Sequence, residues 1–206
     1  MSKLQIKLDA KATRNIAIIV AVAAALVAAG YVYVRFFEPI RVINYKDEPL
    51  EFREDLREAA KVPVYPGESE IYRDTMHQLA KNITIVFKDA GPSENAYCRV
   101  EILELYSKMT LAYKLAFGTV DPETGEIIPS TIPTFNVQNV SSYENLPGKI
   151  QNPIIAIVPP MYANETSVRN EGHVTLISGR NLKELDLATD RFLMIALGID
   201  PSELDA

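Results

Sequence analysis

The chain has no tryptophan, one cysteine and two histidines among its 206 residues. Cys98 has no partner for an internal disulfide, so any folded domain must rest on its apolar core. His77 and His173 are too few for a histidine-built metal centre, and paired-cysteine metal spacings are missing. The sequence also lacks a Gly-x-Gly-x-x-Gly fingerprint, a Walker-type phosphate loop and a Gly-x-Ser-x-Gly elbow. These absences remove the dinucleotide, nucleotide and serine-hydrolase chemistries that are easiest to read from sequence. No cofactor and no metal is expected. A basic patch is missing too: beyond residue 14 the chain carries 17 basic and 26 acidic residues, a net charge of −9. Such a surface repels nucleic acid and anionic headgroups, so no nucleic-acid partner is expected.

What is present begins with residues 16–34, IAIIVAVAAALVAAGYVYV, nineteen residues without a charge. As a helix they span roughly 28 Å, close to the ~30 Å hydrocarbon core of a bilayer. Phe36 and Phe37 extend the run past Arg35, whose stem reaches toward headgroups, and Tyr31 and Tyr33 fall where amphipathic rings favour the interface. The pattern predicts a single-pass anchor. Two other readings stay open. Ala28-Ala29-Gly30 offers a small-residue cleavage site for a signal peptide, and a cut near Lys11-Ala12 would release a pilin-like filament subunit. Four basic residues precede the span (Lys3, Lys7, Lys11, Arg14), against three shortly after it (Arg35, Arg41, Lys46). That bias favours an inside N-terminus. Three Asn-x-Ser/Thr triplets, at Asn82, Asn139 and Asn164, all lie beyond the span. The motif matters only outside the cytoplasm, as a glycosylation acceptor.

Beyond the span, strand and helix signals alternate. Residues 40–45 (IRVINY) alternate apolar and polar side chains, 83–87 (ITIVF) and 153–158 (PIIAIV) are short buried-strand runs, and 135–137 suit an edge strand. Two short strands are expected to pair across the Asp121-Pro122-Glu123-Thr124-Gly125 turn, and residues 167–178 read as a hairpin across Asn170-Glu171-Gly172. Helices are expected over 51–60, over 68–80 with Ile71, Thr75 and Leu79 on one side, and over 93–117 with Ser93 as cap. The last presents Cys98, Ile102, Leu105, Met109, Ala112 and Ala116 to the core. A fourth runs from the cap Asn181 to Leu197 and is stopped by Gly198. The expected fold is α/β: an N-terminal transmembrane helix, then one α/β sandwich domain with a mixed sheet. Residues 1–15 form a cytoplasmic tail, 16–37 the anchor in the lipid bilayer, and 38–206 an extracytoplasmic domain.

Candidate chemistry is thin. Cys98 sits on the core stripe, which favours packing over nucleophilic duty, and both histidines read as ordinary surface residues. In open α/β sheets, ligands bind beyond the carboxyl ends of parallel strands. The segments in that position are 89–95, 159–166 and 178–181, and the last places Gly179, Arg180 and Asn181 at a helix N-terminus suited to anions. If the strands before them are parallel, Asp89, Tyr162, Asn164, Glu165 and Arg180, with Asn181, are expected to share a ligand crevice. A glycan on Asn164 would compete for its mouth. The functional expectation is a single-pass, membrane-anchored, extracytoplasmic binding or assembly component of the cell envelope, without catalysis, whose partner is an envelope protein or a glycan. The alternatives are a cell-surface enzyme acting on a sugar or phosphate-bearing substrate, and the filament subunit.

Overall fold

The structure, a computed structural model, describes residues 22, 25–27, 41–45, 48–120, 127–128 and 132–205. The chain divides into two units, Met1–Pro39 and Ile40–Ala206. In the first, Val22 and residues 25–27 are helical. The tail expected over 1–15 and most of the anchor expected over 16–37 lie outside the described residues, as does the turn at 121–126. Among the described residues, no helix is long and apolar enough to cross a membrane.

The second unit is α/β with a mixed six-stranded sheet. It opens with a separate hairpin, β1 (Arg41–Tyr45) and β2 (Glu48–Phe52), followed by the short helix α1 (Leu56–Ala59), β3 (Val64–Tyr65) and α2 (Glu68–Thr75). Then come β4 (Asn82–Phe87), the long helix α3 (Pro92–Phe117), a second small hairpin of β5 (Thr119–Val120) and β6 (Ile127–Ile128), and β7 (Thr134–Asn139). The last third holds β8 (Ile154–Val158), β9 (Ser167–Asn170), β10 (Val174–Ser178) and α4 (Leu182–Leu197). The main sheet runs β3-β9-β10-β8-β4-β7. Strands β10, β8, β4 and β7 are mutually parallel, β9 is antiparallel to β10, and β3 runs with β9. The three strands whose parallel arrangement the crevice required are therefore parallel.

Strand periodicity sorts the sheet into two unequal faces. Ile83, Ile85, Ile155, Ile157, Val168 and Ile177 point to one side, where they join buried residues of all four helices in the main core. Helix α4 lies at the centre: every residue from Phe192 to Leu197 is buried, as a helix apolar all round must be. On the other side Val86, Ile154, Ala156 and Val174 form a smaller cluster, covered by Val140, Tyr143 and Leu146 from the loop before β8. The Tyr143 hydroxyl pins that loop by donating to the Ile157 carbonyl at 2.7 Å and accepting from the Lys88 amide at 2.8 Å.

Several boundaries differ from expectation, each for a local reason. The helix expected over 51–60 is reduced to Leu56–Ala59, because Phe52 is fully buried as the end of β2 and Asp55 caps the helix by accepting from the Arg57 amide. The helix expected to reach residue 80 ends at Thr75. The buried Tyr113 hydroxyl takes the Thr75 carbonyl at 2.6 Å and accepts from the His77 amide at 3.3 Å, and Leu79 is left 56% exposed. Ser93 is not a cap, since α3 begins at Pro92 after Gly91, whose φ of +92° suits glycine. Ala116 faces outward, while Tyr113 joins the stripe. The hairpin across residues 170–172, the edge position of β7, the Asn181 cap and the Gly198 stop are as expected.

Candidate functional site

The strand order reverses direction between β4 and β8, which places the loops after these strands at the topological switch point. Tyr162 closes it. The segment after β8 turns through a 3-10 helix, Pro160–Tyr162, and the Tyr162 hydroxyl donates to the Asp89 carbonyl at 2.6 Å. The Lys88 ammonium lies 4.1 Å from the centre of the Tyr162 ring, and the Met161 amide donates to Glu94 at 3.2 Å. The Asp89 carboxylate turns back into its own loop, accepting from the Asn95 amide group at 2.5 Å and the Gly91 amide at 3.0 Å. Those two donors lower its pKa.

The open space lies beside this closure, on the sheet face away from the helices. A cleft of about 470 Å³ is lined by Val158, Ala163, Leu176 and the polar residues Tyr162, Asn164, Glu165, Ser167, Arg169, Glu171 and Ser178. The covering loop that shields Val86, Ile154 and Ala156 does not reach this part of the sheet, so Ser167, Arg169 and Ser178 face the cleft from β9 and β10. Ser167 and Ser178 stand opposite each other in the strand register with their hydroxyl oxygens 3.2 Å apart. Glu165 accepts from Ser167 at 3.1 Å and from Arg169, and these bonds lower its pKa. Arg169 also stacks over Tyr65 of β3, 5.3 Å from the ring centre. Apolar side chains make the floor, and hydrogen-bonding groups of both polarities make the rim. The rim carries two carboxylates, Glu165 and Glu171, and one guanidinium, Arg169.

Of the residues singled out by sequence, Tyr162, Asn164 and Glu165 line the cleft, and Asp89 is joined to them through Tyr162. Arg180 and Asn181 are engaged elsewhere. Asn181 caps α4, its side chain accepting from the Glu184 amide at 2.9 Å. Arg180 forks onto Glu184 with two bonds of 3.0 Å, and Thr166 donates to the same carboxylate. The Arg180 and Thr166 bonds hold the Glu184 carboxyl down at about 2. Arg180 is thus paired with the chain's own Glu184 rather than turned toward the cleft. Gly179 is required there, because a Cβ would come within 2.2 Å of the Leu185 amide. The three sequons are spread apart: Asn82 begins β4, Asn139 ends β7, Asn164 borders the cleft, and all three are exposed. Cys98 is buried, and burial pushes its thiol up to about 12, far from a reactive thiolate.

A second polar cluster was not anticipated. Between α3 and α4, the carboxylates of Glu101 and Asp186 meet a single guanidinium nitrogen. Arg53 Nη1 is 2.7 Å from Glu101 Oε1 and 3.4 Å from Asp186 Oδ1. Tyr97 donates to the other Asp186 oxygen. Glu101 Oε2 is buried with no hydrogen-bond partner, and Asp186 Oδ1 has only the 3.4 Å ion-pair contact with Arg53. Burial, then the bond to Asp186, pushes the Glu101 carboxyl well above its usual range. Asp190, one turn further along α4, accepts from the Glu54 amide at 3.2 Å and is likewise pushed up by burial and by Glu104. Lys108 pairs with Glu104 and lies 3.8 Å from the Phe52 ring centre. The sequence did hold a signal for this cluster. A helix as apolar as α4 is buried on every side, so its acids at 186 and 190 are buried with it.

Among the described residues, no group of three or more His, Cys, Asp or Glu side chains is arranged to hold a metal ion. No family model matches the chain, and no curated protein or solved structure matches it.

Proposed function

We propose that the chain is a single-pass, membrane-anchored protein whose second unit works outside the cytoplasm as a non-catalytic binding or assembly component of the cell envelope, holding a glycan or an envelope protein in the cleft on its open sheet face. The observation that carries the reading is the nineteen-residue uncharged run at 16–34 standing directly before a compact unit. Its length matches the bilayer core, and a retained anchor makes the unit that follows a surface-tethered domain.

The cleft supports the binding part. Its rim side chains are held by one another, Glu165 by Ser167 and Arg169, and Ser178 by the Ser167 carbonyl at 3.3 Å. Such a rim is pre-organised and loses little side-chain freedom when a ligand arrives. Both serines are bonded to carboxylate, hydroxyl or carbonyl oxygens, with no imidazole beside them, so the rim is described better as a set of hydrogen-bonding groups than as an activated nucleophile.

A photo-crosslinking side chain placed at Glu171 or Asn164 of the full-length chain, in intact cells, tests this. One defined adduct is expected from both cleft positions and none from Glu144, on the loop covering the other half of the sheet. Adducts in equal yield from all three positions, or from none, would overturn the assignment of the cleft.

A further inference from the structure

We infer that the edge of the sheet at β7, unpaired among the described residues, is a self-pairing surface, through which two copies of this chain join their sheets about a two-fold axis passing beside Val137. The inference stands apart from the proposed anchor and cleft.

Along β7, the Thr134 and Val140 amides donate to the carbonyls of Lys81 and Phe87 at 3.0 and 2.9 Å. Strand parity then turns the even-numbered residues toward β4. The main-chain N–H and C=O of Phe135, Val137 and Asn139 point the other way, and among the described residues no strand pairs with them. The parity matters for symmetry. An antiparallel copy centred on Val137 sets Phe135 opposite Asn139 and Val137 opposite itself. All three outward-facing residues then meet as hydrogen-bonded pairs, with no register shift and no unpaired group between them.

Side chains and charge suit the same partner. Val137 is 51% exposed on the helix side of the edge, and Tyr106 of α3, also 51% exposed, meets Phe135 edge-on at 5.2 Å. Leu103, one turn earlier on α3, is 67% exposed. An exposed edge with apolar flanks normally carries a lysine, a proline or a bulge that blocks pairing. Strand β7, TFNVQN, pairs with β4 without a bulge and holds no lysine or proline; Pro133 stands just before it, so an edge proline lies outside the 135–139 register. It lies within residues 127–143, seventeen consecutive residues without a charge and the longest such run beyond residue 34. Two copies of an acidic chain repel each other over most of their surface, and this neutral strip is where they can approach. Closed two-fold pairing is also the commonest form of self-association. A sugar on Asn139 would stand at the end of the strand, so Asn139 is bare in the paired form.

The test uses the full-length chain in detergent micelles, with engineered thiols. Cys98 is buried, so an introduced cysteine is the accessible one. In a hydrogen-bonded antiparallel pair the two residues at position 137 have Cα atoms about 5.5 Å apart, within disulfide reach. The two at position 138 are about 8 Å apart, from the strand spacing and rise, and cannot be bridged. The wild-type chain is expected to sediment as a dimer, and V137C to oxidise to a covalent dimer at least tenfold faster than Q138C. V137K, and V137P, whose lost N–H faces outward rather than toward β4, are each expected to weaken dimerisation at least tenfold. A monomeric wild-type chain would overturn the inference. So would equal oxidation of V137C and Q138C, or undiminished dimerisation of both V137K and V137P, since either places the contact elsewhere.

Discussion

Glu101 and Glu165 are the same side chain at two depths, and the two polar regions they belong to behave in opposite ways. Glu101 lies between α3 and α4 with no exposed surface, sharing one guanidinium with Asp186. Glu165 stands exposed on the cleft rim with Arg169 and Ser167. Burial raises the first carboxyl and hydrogen bonding lowers the second. Charge in the enclosed region is a structural commitment, costly to disturb, whereas charge in the open region is available to a ligand. A strongly perturbed carboxyl commonly marks a functional site. Here the raised ones are buried with α3 and α4 beside Arg53 and Glu54, and the proposed binding surface uses the accessible side chains instead.

The largest expected effect comes from breaking the enclosed region. Arg53→Met leaves two buried carboxyls without their counter-charge and is expected to cost about 3–5 kcal/mol of unfolding free energy, read by urea denaturation. Glu165→Gln in the cleft is expected to stay within about 0.5 kcal/mol of wild type. Equal costs for the two would erase the distinction between the regions.

The next effect is a difference in pH slope. Glu101 has a folded pKa above its ordinary value of 4.5. Its contribution is therefore fully present below that value and is lost as pH rises toward the folded pKa, with a slope of at most about 1.4 kcal/mol per pH unit for one proton. Glu101→Gln keeps an acceptor for Arg53 and a donor for Asp186, so it is expected to flatten the decline on the alkaline side and to leave stability near pH 4 almost unchanged. Asp190 is shifted in the same sense, so adding Asp190→Asn to the Glu101→Gln chain is expected to flatten the decline further. Glu184 works in the opposite direction. Its carboxyl is held at about 2, so its contribution is present above the ordinary carboxyl range and is lost as pH falls toward 2. Unfolding curves taken from pH 2 to pH 9 separate the two slopes.

A smaller effect is expected at the seam between the cleft loop and α4. Asn181→Ala removes the cap that accepts from the Glu184 amide and is expected to cost about 1 kcal/mol, measured as a lowered Tm. Arg180→Ala removes an exposed partner of Glu184 and is expected to lower Tm least, with an effect that fades as salt is added.

Much of this architecture was legible because single residues carry unambiguous geometry. The β-branched runs at 83–87 and 154–158 are buried central strands, Asn181 and Gly198 bracket α4 as cap and stop, and the turn at Gly172 reverses β9 into β10. What escaped was set by partners distant in sequence. Tyr113 ends α2 from 38 residues away, and Phe52 is drawn into a strand by pairing with residue 41. Tyr162, Asn164 and Glu165 line the cleft, in the loop after a parallel strand where the sequence pattern placed a crevice. Ser167, Arg169 and Ser178, which also line it, were not singled out, because their alternation in the hairpin reads equally well as a solvated face. Arg180 was expected at the crevice and is instead paired with Glu184, one helical turn away.

The central claim is that residues 16–37 hold the second unit at a membrane. The direct measurement is the fate of the full-length chain after cells are broken without detergent and the membranes are washed at alkaline pH. The chain is expected to remain in the membrane pellet, to be released by detergent, and to yield a fragment close to residues 40–206 when protease is added to the outer surface of intact cells. Recovery of the intact, unaggregated chain in the aqueous fraction would contradict it.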